Sequence, residues 1–417
     1  MMGDLNDDRY GCVYIARQPI LDQSQKVFGY ELLYRASAAD TACLTTGDLE
    51  AARVLTDAAL TLGLDTLTSG RPAFLNFTRN LLLNCAGTLL PPPAIVLEVL
   101  EDVTVDRDLT EACRTLHGLG YALALDDFVP GSAAETLLPY VKFVKVDVLA
   151  TLPPARAELA GRLRARGLRL VAEKVETAET AREVRAEGYD LVQGYFFCKP
   201  ATLQSRSLPA KHLAYLELLA ALNRPEVTVG QVEELIRHDA SLSYRVLRCI
   251  NSAACSIGCK IGSIRQAVVL LGVDHIRKWA SVWAVAGINT TGTEELATMA
   301  LLRARCCELL GDRVSPDQGS RFFLLGLCSL LDVMLDQPME KAIGQLPLPE
   351  EIRQALLGQS NAARSVLDGV IAYERGAWDE ANAAVSGTGC TSGELWTAYG
   401  DALRWAQQLT QETAAAA

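Results

Sequence analysis

The chain has 417 residues, half of them hydrophobic and 21% charged, enough to bury the cores of two or three domains and too apolar for a disordered chain. Fifty acidic against 39 basic residues leave a net charge of −11, which excludes a broad attraction to nucleic-acid backbones or anionic membrane surfaces. The longest uncharged apolar runs, 279–288 and 322–331, fall short of the ~18 residues of a membrane span. The acidic start lacks a basic and apolar leader, so a cytoplasmic protein with twelve reduced cysteines is expected.

In chain order, runs rich in Val, Ile, Leu, Phe and Tyr fall at 12–20, 27–35, 72–77, 94–101, 121–128, 142–149, 168–175 and 189–197. Segments with helical period lie between them at 47–63, 105–120, 154–167 and 177–188, several closed by glycine, which commonly stops a helix. Alternating strand and helix predicts a parallel α/β domain, and the near-continuous apolar strands predict burial on both faces. About eight strands favour a TIM-like barrel over an open sheet. Beyond a Pro- and Ser-containing linker at 199–209, strand-like runs cease and helical stretches at 210–223, 229–239 and 263–273 predict an all-α domain. The expected division is a barrel at 1–204, a helical domain at 205–410 and a flexible alanine-rich tail at 411–417.

Polar residues interrupt the apolar strands at Glu31, Asn76, Glu98, Asp126 with Asp127, Lys145, Glu173 and Gln193. Each falls near the C-terminal end of its strand, and in a barrel those ends converge on the face where active sites are built. A single Glu at a strand end is ordinarily a solvated loop residue or a helix-cap partner. The same interruption on seven strands points to function instead. So many carboxylates in one partly dry site repel one another and require cations. Carboxylate and amide oxygens are what Mg²⁺ or Mn²⁺ prefer. Adjacent Asp126 and Asp127 can bridge or divide between two ions, and a two-metal site suits in-line attack of bound water on a phosphodiester. Lys145 is then expected to hold or polarise the nucleophile or to neutralise transition-state charge, and Glu173 to take a proton or ligate the second metal.

These residues and their order resemble the EAL domain, a family of cyclic di-GMP phosphodiesterases built on a modified barrel. The resemblance covers 14–200 and rests on 16–20 (ARQPI), 31–35 (ELLYR), Asn76, the pair Glu98 and Glu101, 126–128 (DDF), 145–147 (KVD), 173–176 (EKVE) and 193–200 (QGYFFCKP). It implies a first metal on Glu31, Asn76, Glu98 and Asp126 and a second on Asp126, Asp127 and Glu173, with Lys145 and Glu173 positioning and deprotonating water. It also implies nucleotide contacts from Gln18, Leu33 and Arg35, Arg35 acting as a forked donor to phosphate. Glu101, Glu176 and Gln193 are implied to be supporting residues, Glu101 steadying the loop after Asp127. Two departures stand out. A loop that is Gly-rich in active members reads FVPGSAAE at 128–135, where Val129 and Pro130 cannot take the positive φ open to glycine. Position 174 is Lys where Gly is usual.

The helical part resembles HDOD, a relative of the HD phosphohydrolases, from 208 past 335, on the segments 218–253 and 263–279. Metal hydrolysis there needs separated His and Asp ligands, whereas the chain has only His117, His212, His238 and His275, and 326–335 contains none. The pair His238 and Asp239 reads as helix-end chemistry, not a metal site. Cys249, Cys255 and Cys259 lack a second matching pair and read as small core residues, as do Cys306 and Cys307. Arg17 and Arg79 default to surface residues. Two functions remain in competition. One is a phosphodiesterase hydrolysing cyclic di-GMP to linear pGpG, with HDOD as a regulatory module binding a protein partner. The other is a degenerate cyclic di-GMP binder or scaffold acting through HDOD. The resemblance is compatible with a homodimer.

Overall fold

The computed structural model describes residues 14–35, 63–84, 90–198, 228–237, 294–316, 318–335, 337–344 and 348–415, with the single positions 269, 272, 276 and 346. Most of the helix expected at 47–63, the linker at 199–209, the helical stretch 210–223, most of 263–273, His212, His238, Asp239, His275, Cys249, Cys255 and Cys259 lie outside them. Contacts divide the chain into two units, Met1–Phe196 with Ala372–Trp378 and Phe197–Ile371 with Asp379–Ala417.

In the first unit eight strands close a barrel in sequence order. They are β1 (Tyr14–Asp22), β2 (Val27–Arg35), β3 (Ala73–Phe77), β4 (Ile95–Val99), β5 (Ala122–Leu125), β6 (Phe143–Asp147), β7 (Arg169–Glu173) and β8 (Leu191–Gln193). The all-parallel expectation is corrected at β1, which runs antiparallel to both β2 and β8. The cause is local. Asp22 accepts from the backbone N–H groups of Ser24 (2.8 Å) and Lys26 (2.9 Å), and Gln25 takes φ 61°, which folds 22–27 into a tight hairpin that can join only antiparallel strands. The strand expected at 189–197 is shorter, since a 3₁₀ turn at Tyr195–Cys198 follows β8.

The helices between the strands begin and end where local chemistry dictates. Arg107–Gly118 starts on Asp106, whose carboxylate accepts from Leu109 N at 2.9 Å, and buries Leu109, Ala112, Cys113 and Leu116, one stripe at i, i+3, i+4 and i+7. Ala178–Glu187 starts on Thr177 and stops at Gly188, whose φ of 100° an L side chain rarely adopts. Pro153–Arg164 packs alongside through buried Arg156, which holds Glu187 by two bonds of 2.6 and 2.8 Å. Inside the barrel Ile20, Phe74, Val96, Ala124, Phe143, Val171 and Leu191 form a buried apolar plug.

The described part of the second unit is helical, with Val229–Arg237, Glu294–Val314, Gly319–Cys328, Glu350–Leu356, Trp378–Ser386 and Ser392–Ala415 among its helices. Gly319–Cys328 buries nearly every side chain it carries, as a helix apolar on all sides must. Cys306 and Cys307 are buried, as expected of core residues. The final helix runs through Ala415, across most of the stretch expected to be a tail. Among the described residues no helix is long and apolar enough to cross a membrane.

Candidate active site

Strand periodicity alone builds one polar layer on the apolar plug. Side chains two apart share a face of a strand, so Phe74 brings Asn76 above it, Val96 brings Glu98, Ala124 brings Asp126, Phe143 brings Lys145, Val171 brings Glu173 and Leu191 brings Gln193. On β1, which runs the other way, the residue above Ile20 is Gln18, two positions earlier, and it stands opposite Glu31 in the register. The ladder continues past β5 because Asp126 N donates to Val99 O at 3.0 Å, which lifts the double Asp to the same level.

At the centre is Lys145, a fully buried ammonium. Its Nζ lies 3.2 Å from Glu31, 2.9 Å from Glu98, 2.7 Å from Asp126 and 2.9 Å from Glu173. Glu31 is held further by Asn76 Nδ2 at 3.3 Å and Gln193 Nε2 at 2.6 Å, and Gln193 also reaches Gln18 at 3.2 Å. Burial raises the Glu98 carboxyl well above its ordinary value, reinforced by the neighbouring carboxylates against the pull of Lys145. Burial likewise raises Asp126 and brings Glu173 to about 8. Burial acts on Glu31 too, but Lys145 and the amide donors outweigh it and hold that carboxyl low. Lys145 stays charged, because four carboxylates overcome the desolvation that would otherwise depress it.

A second cation stands at the rim. Lys174 Nζ lies 3.3 and 3.0 Å from the two oxygens of Asp127 and 2.7 Å from Asp147 Oδ2. Asp147 is itself anchored, its other oxygen accepting from Leu149 N at 2.7 Å and Ala150 N at 3.2 Å. This triad was missed from the sequence, which assigned Asp147 no role. The signal was Lys174 itself, placed where the family resemblance led one to expect glycine. After Asp127 the chain takes its positive φ at Asp127 (39°) and Gly131 (79°), which spares Val129 and Pro130, and Phe128 N donates to Lys145 O at 2.9 Å. Val129 is left exposed.

Not every expected residue joins the cluster. Gln18 is half-buried at its edge, and its Nε2 donates to Arg375 O at 3.2 Å, from the segment Ala372–Trp378 that groups with this unit. Leu33 packs beside Gly376 of the same segment. Arg35 closes β2 opposite Tyr14. Glu101 and Glu176 are exposed and outside the Lys145 cluster. Arg17 is corrected from a surface residue to a buried one: its guanidinium donates to Leu67 O at 2.8 Å and lies over the Tyr30 ring.

Family models match this chain twice, an EAL domain at residues 45–200 and an HDOD domain at 208–344. The uncharacterized protein YuxH of Bacillus subtilis is 34% identical over 405 residues, 95% of this chain and 98% of its own length. The cyclic di-GMP phosphodiesterase CdgJ of Vibrio cholerae is 33% identical over 410 residues, 97% of this chain and 95% of that one. The chain belongs to the EAL–HDOD family. Among solved structures, Klebsiella pneumoniae BlrP1 in a calcium and cyclic di-GMP complex aligns with 48% of this EAL–HDOD chain and 58% of its own at 23% identity, with a TM-score of 0.38.

The donors at the mouth of this EAL–HDOD barrel are oxygens of the kind that hard divalent ions prefer. Among the described residues no three His, Cys, Asp or Glu side chains form a ready-made ligand cluster; the central carboxylates converge on Lys145 instead. Yet Asn76 Oδ1 and Glu98 Oε2 are buried without a hydrogen bond, whereas Glu98 Oε1 and Asp126 Oδ1 face the Lys145 ammonium at 2.9 and 2.7 Å. Orphaned buried oxygens of this kind are costly unless a ligand satisfies them. They belong to two of the four residues of the implied first metal set, whose donors are all carboxylate or amide oxygens, so that set fits a hard divalent ion. The second set fits less well: both Asp127 oxygens already face the Lys174 ammonium.

Proposed function

We propose that this chain is a divalent-metal-dependent phosphodiesterase that opens one phosphodiester of cyclic di-GMP to give linear pGpG, with the HDOD domain as a regulatory, partner-binding module. The observation that carries it is the pair of orphaned buried oxygens, Asn76 Oδ1 and Glu98 Oε2, beside Lys145 at the mouth of an EAL barrel. Glu31, Asn76, Glu98 and Asp126 would hold an ion such as Mg²⁺ or Mn²⁺. Bound there, it supplies Lewis acidity and a water of lowered pKa.

The remaining work falls to the chain's own side chains. Glu173, whose carboxyl burial raises to about 8, would exchange a proton near neutral pH and accept one from water in its ionised form. Lys145 neutralises the carboxylates and supplies positive charge where negative charge develops on the phosphoryl group. Gln193 holds Glu31 in place. Gln18, Leu33 and Arg35 would contact the nucleotide, with Arg35 on a phosphate, and Glu101 and Glu176 would support the loops. The division into a barrel at 1–204, a helical domain at 205–410 and a tail from 411 is part of the same proposal, as is a cytoplasmic location.

The test is incubation of the purified full chain with cyclic di-GMP and Mg²⁺ or Mn²⁺, followed by chromatography. Linear product is expected, reduced roughly 100-fold or more in Glu31→Ala, the scale of losing a charge-stabilising group. Tight nucleotide binding without product would establish the non-catalytic binder instead.

A further inference from the structure

Lys174 departs from strand geometry as well as from the family sequence. It follows Glu173 on β7, and strict alternation would send its side chain to the opposite face of the barrel wall. A left-handed backbone, φ 56°, breaks the alternation and brings the ammonium back to the mouth. Glycine takes that conformation freely and lysine does not. There the ammonium is clamped between two aspartates from different strand ends, and Asp147 is tied down by two backbone N–H groups. The pairing is therefore built into the loop and is not a surface encounter of long side chains.

We infer that the Lys174 ammonium takes the place of a second divalent ion, so that this mouth binds one ion, on Glu31, Asn76, Glu98 and Asp126, and supplies its other positive charge from the chain. The inference rests on the metal-dependent reading above. An ion on Asp127 needs carboxylate oxygens at ~2.0–2.6 Å, whereas both Asp127 oxygens already engage the ammonium. To admit a second ion, Lys174 must leave Asp127 and Asp147 together. Positioned here, it can pair with a non-bridging phosphoryl oxygen as a point charge, the ordinary role of lysine towards phosphate.

The test is metal stoichiometry on the full chain. Metal-stripped protein is titrated with Mn²⁺, bound metal is measured by elemental analysis, and the bound ion is examined by electron paramagnetic resonance. One Mn²⁺ per chain with the spectrum of an isolated ion is expected for the natural sequence. Lys174→Gly, which suits the local φ, should bind two with the spectrum of a spin-coupled pair, and adding Asp127→Asn should return it to one. Lys174→Gln, which removes the charge and keeps the bulk, should give the same gain if the glycine variant folds poorly. Two coupled ions in the natural chain, or a single ion in both Lys174 variants, would overturn the inference. With cyclic di-GMP turnover intact, either result would leave the phosphodiesterase reading standing. No bound ion and no turnover would remove both.

Discussion

Lys145 on β6 and Lys174 just past the end of neighbouring β7 each gather carboxylates, yet the first side chain is 1% exposed and the second 48%. Lys145 is enclosed by the wall of the barrel, so its charge and the four it balances have no solvent to fall back on. Lys174 lies at the rim with water on one side. The same ion-pair chemistry is therefore structural necessity in one place and adjustable function in the other, because the energy of a charge pair depends on how much water it has lost.

That contrast can be broken by substitution, with the largest effect at the centre. Lys145→Ala leaves four acidic side chains facing one another without a cation, and should lower unfolding free energy by about 3–5 kcal/mol in the metal-free protein, the usual scale for orphaning buried charges. Denaturant titration measures it. A near-neutral result would mean that the carboxylates simply protonate and that Lys145 is dispensable to the fold. Adding a divalent ion should restore part of the loss, since the ion binds the folded state alone.

Arg156 sharpens the comparison from outside the barrel. Its side chain is 3% exposed, but its partner Glu187 keeps some contact with solvent at 14%. Arg156→Ala should cost about 1.5–3 kcal/mol, between the two lysines, by losing a two-pronged hydrogen bond to a charged group. A loss as large as that at Lys145 would show that the number of carboxylates does not set the scale.

The smallest effect is expected at Lys174→Gln, within about 1 kcal/mol near neutral pH, as for other half-exposed pairs. Its pH dependence carries the information. Burial tends to raise the Asp147 carboxyl, but Lys174 and two backbone N–H groups outweigh it and hold it below its unfolded value of 3.8. A depressed carboxyl stabilises above the unfolded pKa and loses that contribution as pH falls through the folded one. The gap between natural chain and variant should therefore be present near neutral pH and close in acid. Denaturation midpoints at about pH 7 and about pH 3 read it directly. A gap that widened in acid would show that Lys174 does not act on Asp147.

The burial of these cations was only partly legible in the sequence. Apolar strands alternating with Gly-stopped helices marked the barrel, and the polar interruptions at Glu31, Asn76, Glu98, Asp126, Lys145, Glu173 and Gln193 marked its mouth, because a two-residue strand period converts position directly into face. The antiparallel β1 was not visible, since its direction follows from the Asp22 turn and not from the apolar pattern of 12–20. Gln18 thus reaches the site from the side opposite to that expected of a parallel strand. Nor was the contribution of Ala372–Trp378 to the first unit legible, because pairing across more than 300 residues, as between Ile15 N and Tyr373 Oη, leaves no local period.

The amino-acid sequence by itself determined the two-part organisation, the kind of fold and which polar side chains share one end of the barrel, all consequences of local periodicity and stop signals. Only the tertiary structure decided which charge meets which. Lys145 and Lys174 look alike as letters, and closure of the barrel buries one among four carboxylates. A single left-handed residue turns the other onto Asp127 and Asp147. Charge pairing is set by distances across the chain and by the water that folding removes, and neither is written in the order of residues.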